Sequence, residues 1–347
     1  MKFIKMIKVL YVVMMCAFIL CACSPEGGEV SDNTSEKDTG SQIQIGITFD
    51  SFIIERWERD RDIFVSTAKN LGAEVNVQNA NGSVEKQKEQ IEYFIEKQMD
   101  VIVIIAVDSG SLSDEVREAK NAGIRVIAYD RLVNEADVDL YISFDNEMVG
   151  KYMADAIIEG TGGKGSIIKI NGPSKDNNVS LVNNGFDNEI ADQDIKVIDT
   201  YYASEWKGEE AFNYLSEHTA EADSVDAVMC GNDSLAGQAV RYYAEKRRAG
   251  EVVIVGQDAD LDACQRIVEG TQAMTVYKPI EQLAKQAARW SIDLVKGNHE
   301  ADGVINDGRY DVPFVYVDPL MVNKDNIDGI IIGSGFHLRE DVYLKER

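Results

Sequence analysis

The chain is poor in positive charge: 35 Lys and Arg stand against 60 Asp and Glu, a formal net charge of −25. This imbalance excludes a nucleic-acid binder, which needs a positive face toward the phosphates. It equally excludes electrostatic attraction to anionic lipid. Cysteine is scarce as well, with five in 347 residues. Cys16, Cys21 and Cys23 fall at the start of the chain, and Cys230 and Cys264 are too few for a disulfide framework. The three histidines, His218, His299 and His337, lie beside no predicted strand end, so histidine-based proton chemistry has no obvious home. The apolar run Val9–Leu20 is too short for a comfortable membrane span.

That run, preceded by Lys2, Lys5 and Lys8 and closed by Leu20-Cys-Ala-Cys23, has the make-up of an export signal. The small residues before Cys23 fit a bacterial lipobox, with Cys23 as the lipidated first residue of the mature chain; an ordinary secretory signal with an incidental cysteine is the alternative. Ser24–Gln42 is rich in Ser, Gly, Glu and Asp with almost nothing to bury, so it reads as a disordered tether. At about 5–6 Å times the square root of its length, it spans roughly 25 Å. The membrane link is then the anchor alone, on the outer face of the cytoplasmic membrane. Residues 1–22 are assigned to the signal and 23–42 to the tether. The rest is long enough for two lobes rather than one overgrown core.

The body is organised around its first stretch, Ile43–Asp62. Residues 43–49 read as a buried strand, and from Trp57 the spacing of Phe64, Ala68 and Leu71 is helical. Asp50, Arg56 and Trp57 therefore sit where a strand's carboxyl end meets a helix, the edge at which open α/β sheets bind ligands. An aromatic plate beside charged hydrogen-bonding groups suits a sugar, with its apolar C–H faces and hydroxyl rim. Strand and helix then alternate: strands at 74–78, 101–105, 124–129 and 140–144, and helices at 84–98 and 112–122. A second round begins near Gly165, with strands at 166–170, 195–203, 225–230, 252–256 and 273–276 and a helix at 280–297. Val312–Val317 and Ile330–Ile332 read as closing strands. This alternation predicts parallel sheets covered on both faces. Polar or aromatic residues recur at the strand ends: Asp130, Arg131, Asp176, Asn178, Trp206, Asn232, Asp258 and Lys278. Helix caps and turns account for each Asx residue singly. They account less well for the set, because Arg and Lys are poor caps at helix starts.

In several long pieces, taken in order, the chain resembles the periplasmic sugar-binding proteins of the ribose/galactose type. The pieces are Glu55-Arg-Trp57 with Asp60–Phe64, Gln78–Gly82, Ala128–Arg131, Tyr141–Glu147, Gly256–Leu261 and Gly270–Pro279, and the resemblance spans about Ile43 to His337. It implies the type I periplasmic binding fold, two doubly wound parallel-sheet α/β lobes joined by a three-strand hinge. The expected lobes are 43–144 with 279–312, and 145–278 with 313–345, crossing near Asp145, Lys278-Pro279 and Pro313. It implies that Arg56, Asp130, Asp176, Asn178, Asn232, Asp258 and Lys278 hydrogen-bond D-xylose or a closely related monosaccharide, with Arg131 close by. Trp57 and Trp206 would sandwich the ring. No metal and no cofactor are implied, and the free protein is expected to be a monomer. The expected partner is an ABC importer's membrane subunits, or alternatively the extracellular domain of a sensor kinase. Lys175 and the Ala106–Gly110 loop depart from the usual pattern.

Two motif lookalikes fail on chemistry. Asp258, Asp260, Asp262 and Glu269 hold positions of a calcium loop, but Ala263 stands where the sharp turn needs glycine. Gly160–Ser166 lies between a helix and a strand, the reverse of a phosphate loop, and reads as a tight turn. A glycosidase is the rival enzyme class, since Asp130, Asp176 and Asp258 offer carboxylate pairs; release of the alcohol from aryl xylosides would reveal one. A sugar-responsive repressor needs a DNA-reading module, and the export signal occupies its place.

Overall fold

The computed structural model describes residues 42–54, 56–297, 300–301 and 303–344. The expected signal, Cys23 and all of the tether but Gln42 lie outside these. Most central strands are short apolar runs, and the longer helices each bury one apolar face. The first run is β1 (Gln44–Phe49), α1 (Arg56–Asn70), β2 (Glu74–Asn79), α2 (Val84–Glu96), β3 (Val101–Ile104), α3 (Ser113–Asn121), β4 (Arg125–Tyr129) and β5 (Leu140–Phe144). The second is α4 (Asn146–Thr161), β6 (Lys164–Asn171), α5 (Asn177–Ile190), β7 (Asp194–Tyr202), α6 (Glu209–Glu217), α7 (Thr219–Ala222), β8 (Ala227–Cys230), α8 (Asp233–Glu245), β9 (Val253–Val255), α9 (Leu261–Glu269) and β10 (Met274–Tyr277). Then follow α10 (Ile280–Val295), β11 (Gly303–Asn306), β12 (Asp311–Val317), β13 (Leu320–Asn323) and α11 (Arg339–Val342).

The strands form two sheets, ordered β11-β12-β5-β4-β3-β1-β2 and β13-β10-β9-β8-β6-β7. Pairing is parallel except for β11 against β12 and β13 against β10. Strand alternation sorts the first sheet's side chains to two covered faces. Ile45, Ile47, Val101 and Val103 pack with Phe64 and Ala68 of α1 and Leu283 and Ala287 of α10. Ile102, Ile104, Val126 and Ala128 pack with Ile91 and Phe94 of α2 and Val116 of α3. That double burial is why β3 is apolar at all four positions.

The chain passes between the sheets three times: from β5 into α4 at Asp145, from β10 into α10 at Lys278-Pro279, and from β12 into β13 at Asp318-Pro319. The third crossing corrects the expected boundary at Pro313. β12 pairs in parallel with β5, Phe314 opposite Tyr141 through Val317 opposite Phe144, so Pro313 lies inside the first sheet. Ile330–Ile332 is not a strand either. It belongs to a π-helical turn, Asp328–Ile332, whose Ile331 is buried with Val322, Ile327 and Val342.

Two helices of the second lobe meet backbone to backbone. A Cβ on Gly150 of α4 would lie inside contact distance of the Val182 carbonyl and 2.7 Å from the Phe186 nitrogen. On Gly185 of α5 it would meet the Glu147 carbonyl group, 2.7 Å from its carbon. Only glycine allows this approach. It fixes α5, and with it the α5 first turn, against the helix that begins at the first crossing.

Candidate functional site

The first lobe supplies its part of the site from the start of α1 and the end of β4. Arg56 Nε and Nη2 donate to the two carboxylate oxygens of Asp60, 3.2 and 3.1 Å away, one helical turn on. Its Nη1 faces Asp130 Oδ2 at 3.0 Å. The Tyr129 hydroxyl donates to Asp60 from the other side. The guanidinium lies over Trp57 at 4.4 Å and Phe144 at 5.2 Å. All of these groups are buried. Burial works against the Arg56 charge, but Asp130 and Asp60 outweigh it and raise the Arg56 pKa. Burial likewise pushes Asp130 up, yet Arg56, Lys278 and Arg131 together hold its carboxyl below the ordinary carboxylate range. Asp60 ends on the other side of that balance: burial raises it, and Arg56 and Tyr129 offset only part.

The second lobe answers from the ends of β6, β9 and β10. Asp176 precedes α5 and accepts from the Asn178 amide nitrogen at 3.0 Å. Asn178 Nδ2 donates across the lobes to Asp130 Oδ1 at 2.9 Å. Arg131, from the first lobe, reaches Asp176 Oδ2 through Nε at 2.7 Å and Asp50 Oδ2 through Nη1 at 2.7 Å. Burial raises the Asp176 carboxyl, and Arg131 lowers it only in part. Lys278 Nζ lies 3.3 Å from Asp258 Oδ1. Asp130 and Asp258 hold left-handed backbone, with φ of 63° and 100°, while their amides still bond Ile142 and Val276 across the sheets. Such conformations cost free energy and cluster where a side chain must be aimed.

These residues converge on one small cavity, lined by Arg56, Trp57, Asp130, Arg131, Asp176, Asn178, Trp206, Asp258 and Lys278 with Ile54 and Gln257. Nine of the ten residues expected from sequence thus converge. Asn232 does not line it. Its Oδ1 accepts from the Leu235 nitrogen at 2.9 Å as the cap of α8, and it borders a neighbouring open depression that also touches Trp206. Sequence reasoning missed Ile54 and Gln257, which flank predicted residues in the same loops. It also missed Asp60 and Tyr129, which hold Arg56 from outside the cavity. The divergent 106–110 loop docks on the second lobe: the Ser109 nitrogen donates to the Lys175 carbonyl, and Ser109 Oγ accepts from the Asn177 nitrogen, both at 3.2 Å.

The cavity is short of partners. Trp57 Nε1, Trp206 Nε1, Gln257 Oε1, Asp130 Oδ2 and Asp258 Oδ1 are buried without a hydrogen bond, the two carboxylate oxygens facing only their ion-pair cations. Unmet buried polar groups are costly, so the cavity is complementary to a ligand dense in hydroxyls. Of the described histidines, His218 bonds the Tyr214 carbonyl and His337 the Ala259 carbonyl, and neither lines the cavity. Among the described residues no group of His, Cys, Asp and Glu side chains is placed to hold a metal ion, and no helix is long and apolar enough to cross a membrane.

The sequence profile of the periplasmic binding protein domain matches residues 45–299. The D-xylose-binding periplasmic protein of Haemophilus influenzae is 43% identical over 307 residues, covering 87% of this chain and 92% of that protein. Its namesake from Escherichia coli is 42% identical, covering 87% and 93%. A carbohydrate transporter solute-binding protein from Chloroflexus aurantiacus, solved with D-glucose, superposes with a TM-score of 0.80 at 27% identity, covering 87% of this chain and 98% of that one.

Proposed function

Because the chain belongs to the periplasmic binding protein family, we propose that it captures D-xylose, or a closely related monosaccharide, outside the cytoplasm and passes it to an ABC importer. It is an exported binding protein and not an enzyme. The carrying observation is the cavity itself. Nine strand-end side chains from both lobes surround it, and five of its buried polar atoms lack hydrogen bonds. In this reading Asp130, Asp258, Asn178, Arg56 and Lys278 meet the hydroxyls, and Trp57 and Trp206 cover the two faces of the ring.

Arg131 takes a different part. With Asp50 and Asp176 on its guanidinium and the Ala106 carbonyl 3.1 Å from Nη1, it ties the lobes together beside the sugar. The three crossings act as the hinge, and the sugar holds the lobes closed as in other binding proteins of this kind. Cys23, lipidated, keeps the protein at the membrane; mass spectrometry of the mature amino terminus tests this, and an unmodified Cys23 refutes it.

Calorimetry with the purified domain tests the main reading. One D-xylose per chain should bind with heat and be recovered unchanged. Heat with ribose or glucose but none with D-xylose would overturn the ligand assignment.

A further inference from the structure

Trp206 sits on a seat that has no side chains. A Cβ on Gly172, just after β6, would stand within 2.5 Å of Trp206 Cη2, Cζ2 and Cζ3. Three nearly equal distances to adjacent atoms put it over the face of the six-membered ring rather than at its edge. A Cβ on Gly231, just after β8, would lie 3.2 Å from Cζ3 and 2.9 Å from the Gly172 nitrogen. Neither glycine lines the cavity that the indole lines, so both lie behind the ring.

The seat is pinned on each side. The Ala203 nitrogen donates to the Asn171 carbonyl at 3.0 Å, and the Gly231 nitrogen donates to the Ile170 carbonyl at 2.7 Å. Gln257 Nε2 donates to the Gly231 carbonyl at 2.5 Å, while the other end of that amide faces the cavity unpaired. A methyl group added at 172 is therefore carried on backbone that cannot retreat, and the indole it meets must move instead.

We infer that Gly172, supported by Gly231, is a positioning residue that fixes the plane of Trp206 and so the width of the slot for the ring. This rests on the sugar-binding reading above. Ordinary carbon contacts are 3.5–4.0 Å, so one added methyl group shifts the ring by about 1 Å or more toward the cavity. A slot narrowed by that amount no longer admits a sugar ring at contact distance from both of its walls.

The test is a double-mutant cycle read by calorimetry with D-xylose, with thermal melting as the control for folding. Gly172→Ala alone should weaken binding by about tenfold or more. A phenyl ring does not reach the three crowded carbons, so Gly172→Ala should cost little further in a Trp206→Phe background. Normal affinity in Gly172→Ala overturns the inference, and so does an equal loss in both backgrounds. If Gly172→Ala alone does not fold, the paired variant should fold and melt like Trp206→Phe; a pair that still fails to fold also overturns it. Absence of sugar binding by the unaltered protein would sink the underlying reading instead, before any variant is compared.

Discussion

Asp130→Asn separates the charge of Asp130 from its shape. Asparagine tolerates left-handed backbone as aspartate does, so the φ of 63° is not a new source of strain. Its carbonyl can still accept from Asn178 Nδ2, now 2.9 Å from Asp130 Oδ1. What is lost is the ionised oxygen 3.0 Å from Arg56 Nη1, replaced by an amide that also donates. A close charge-assisted contact of this kind contributes about 1.5–3 kcal/mol. Arg56 keeps both bonds to Asp60, so its charge is not orphaned, and the loss stays below the 3–5 kcal/mol or so of a fully broken buried pair. A cost of about 2 kcal/mol follows, equivalent to a melting temperature lower by about 4 °C.

The pH dependence of that difference is the sharper test. The carboxyl of Asp130 is held down in the folded protein, so its stabilisation is complete above the unfolded value and lost as pH falls through the lowered one. The gap between wild type and Asp130→Asn, measured by denaturant unfolding, should be constant from pH 8 to about 5 and close below about 3.9. Asp60→Asn should show the opposite slope, because burial raises Asp60 and its ionised form is the strained one. Equal stability of Asp130→Asn and wild type at pH 7, or a gap that widens in acid, would refute this account of the charge balance.

Asp258→Ala should weaken D-xylose binding by about tenfold to a hundredfold in calorimetry, an ionised acceptor being lost; unchanged affinity would leave Asp258 with only Lys278 to hold. Saturating sugar should reduce the radius of gyration in solution scattering, and an unchanged value would refute closure about residues 145, 278–279 and 318–319. Asp233, buried and bonded by Thr275 Oγ1 at 2.6 Å and Gln272 Nε2 at 2.8 Å, is pushed up by burial to about 7, with Arg266 opposing. Its folded value is the higher one, so its contribution is present in acid and lost as pH rises through about 7. Melting temperatures of wild type should therefore fall from pH 5 to pH 8 more steeply than those of Asp233→Asn, and parallel curves would refute this.

Much of the arrangement was legible because it is local. Runs such as Val101–Ile104, buried on both faces, can be read as strands without a partner, and where a polar residue ends one, as Asp130 ends β4, it marks the sheet edge. What was not legible depends on distant pairing. Val312–Val317 looks like a strand from its own residues, but only β5, far back in the chain, decides that it belongs to the first sheet. Asp60 looks like an acid on a solvated helix face; Tyr129, 69 residues away, buries it. Asn232 stands outside the cavity lining for a reason that is local. An asparagine at a helix start satisfies the first-turn amides, and that ordinary use takes up its oxygen. Ile330–Ile332 was too short a run to separate strand from helix, and packing of Ile331 under Val342 settled it.

The glycine contact between α4 and α5 has a mechanical consequence. α4 starts at the first crossing with Asp145 as its cap, and the first turn of α5 carries Asn178 two residues after its cap Asp176. At Gly150 and Gly185 the two helices touch with no side chain between them to compress or slide. They form one stiff lever whose fulcrum is the crossing and whose tip is a pair of cavity-lining groups, Asp176 and Asn178. Any rotation at Asp145 reaches the tip undamped, and any change of helix separation at the keyed glycines is delivered there as a displacement. The distance at which α5 carries Asp176 and Asn178 to the cavity is thus set by two absent methyl groups that lie outside it.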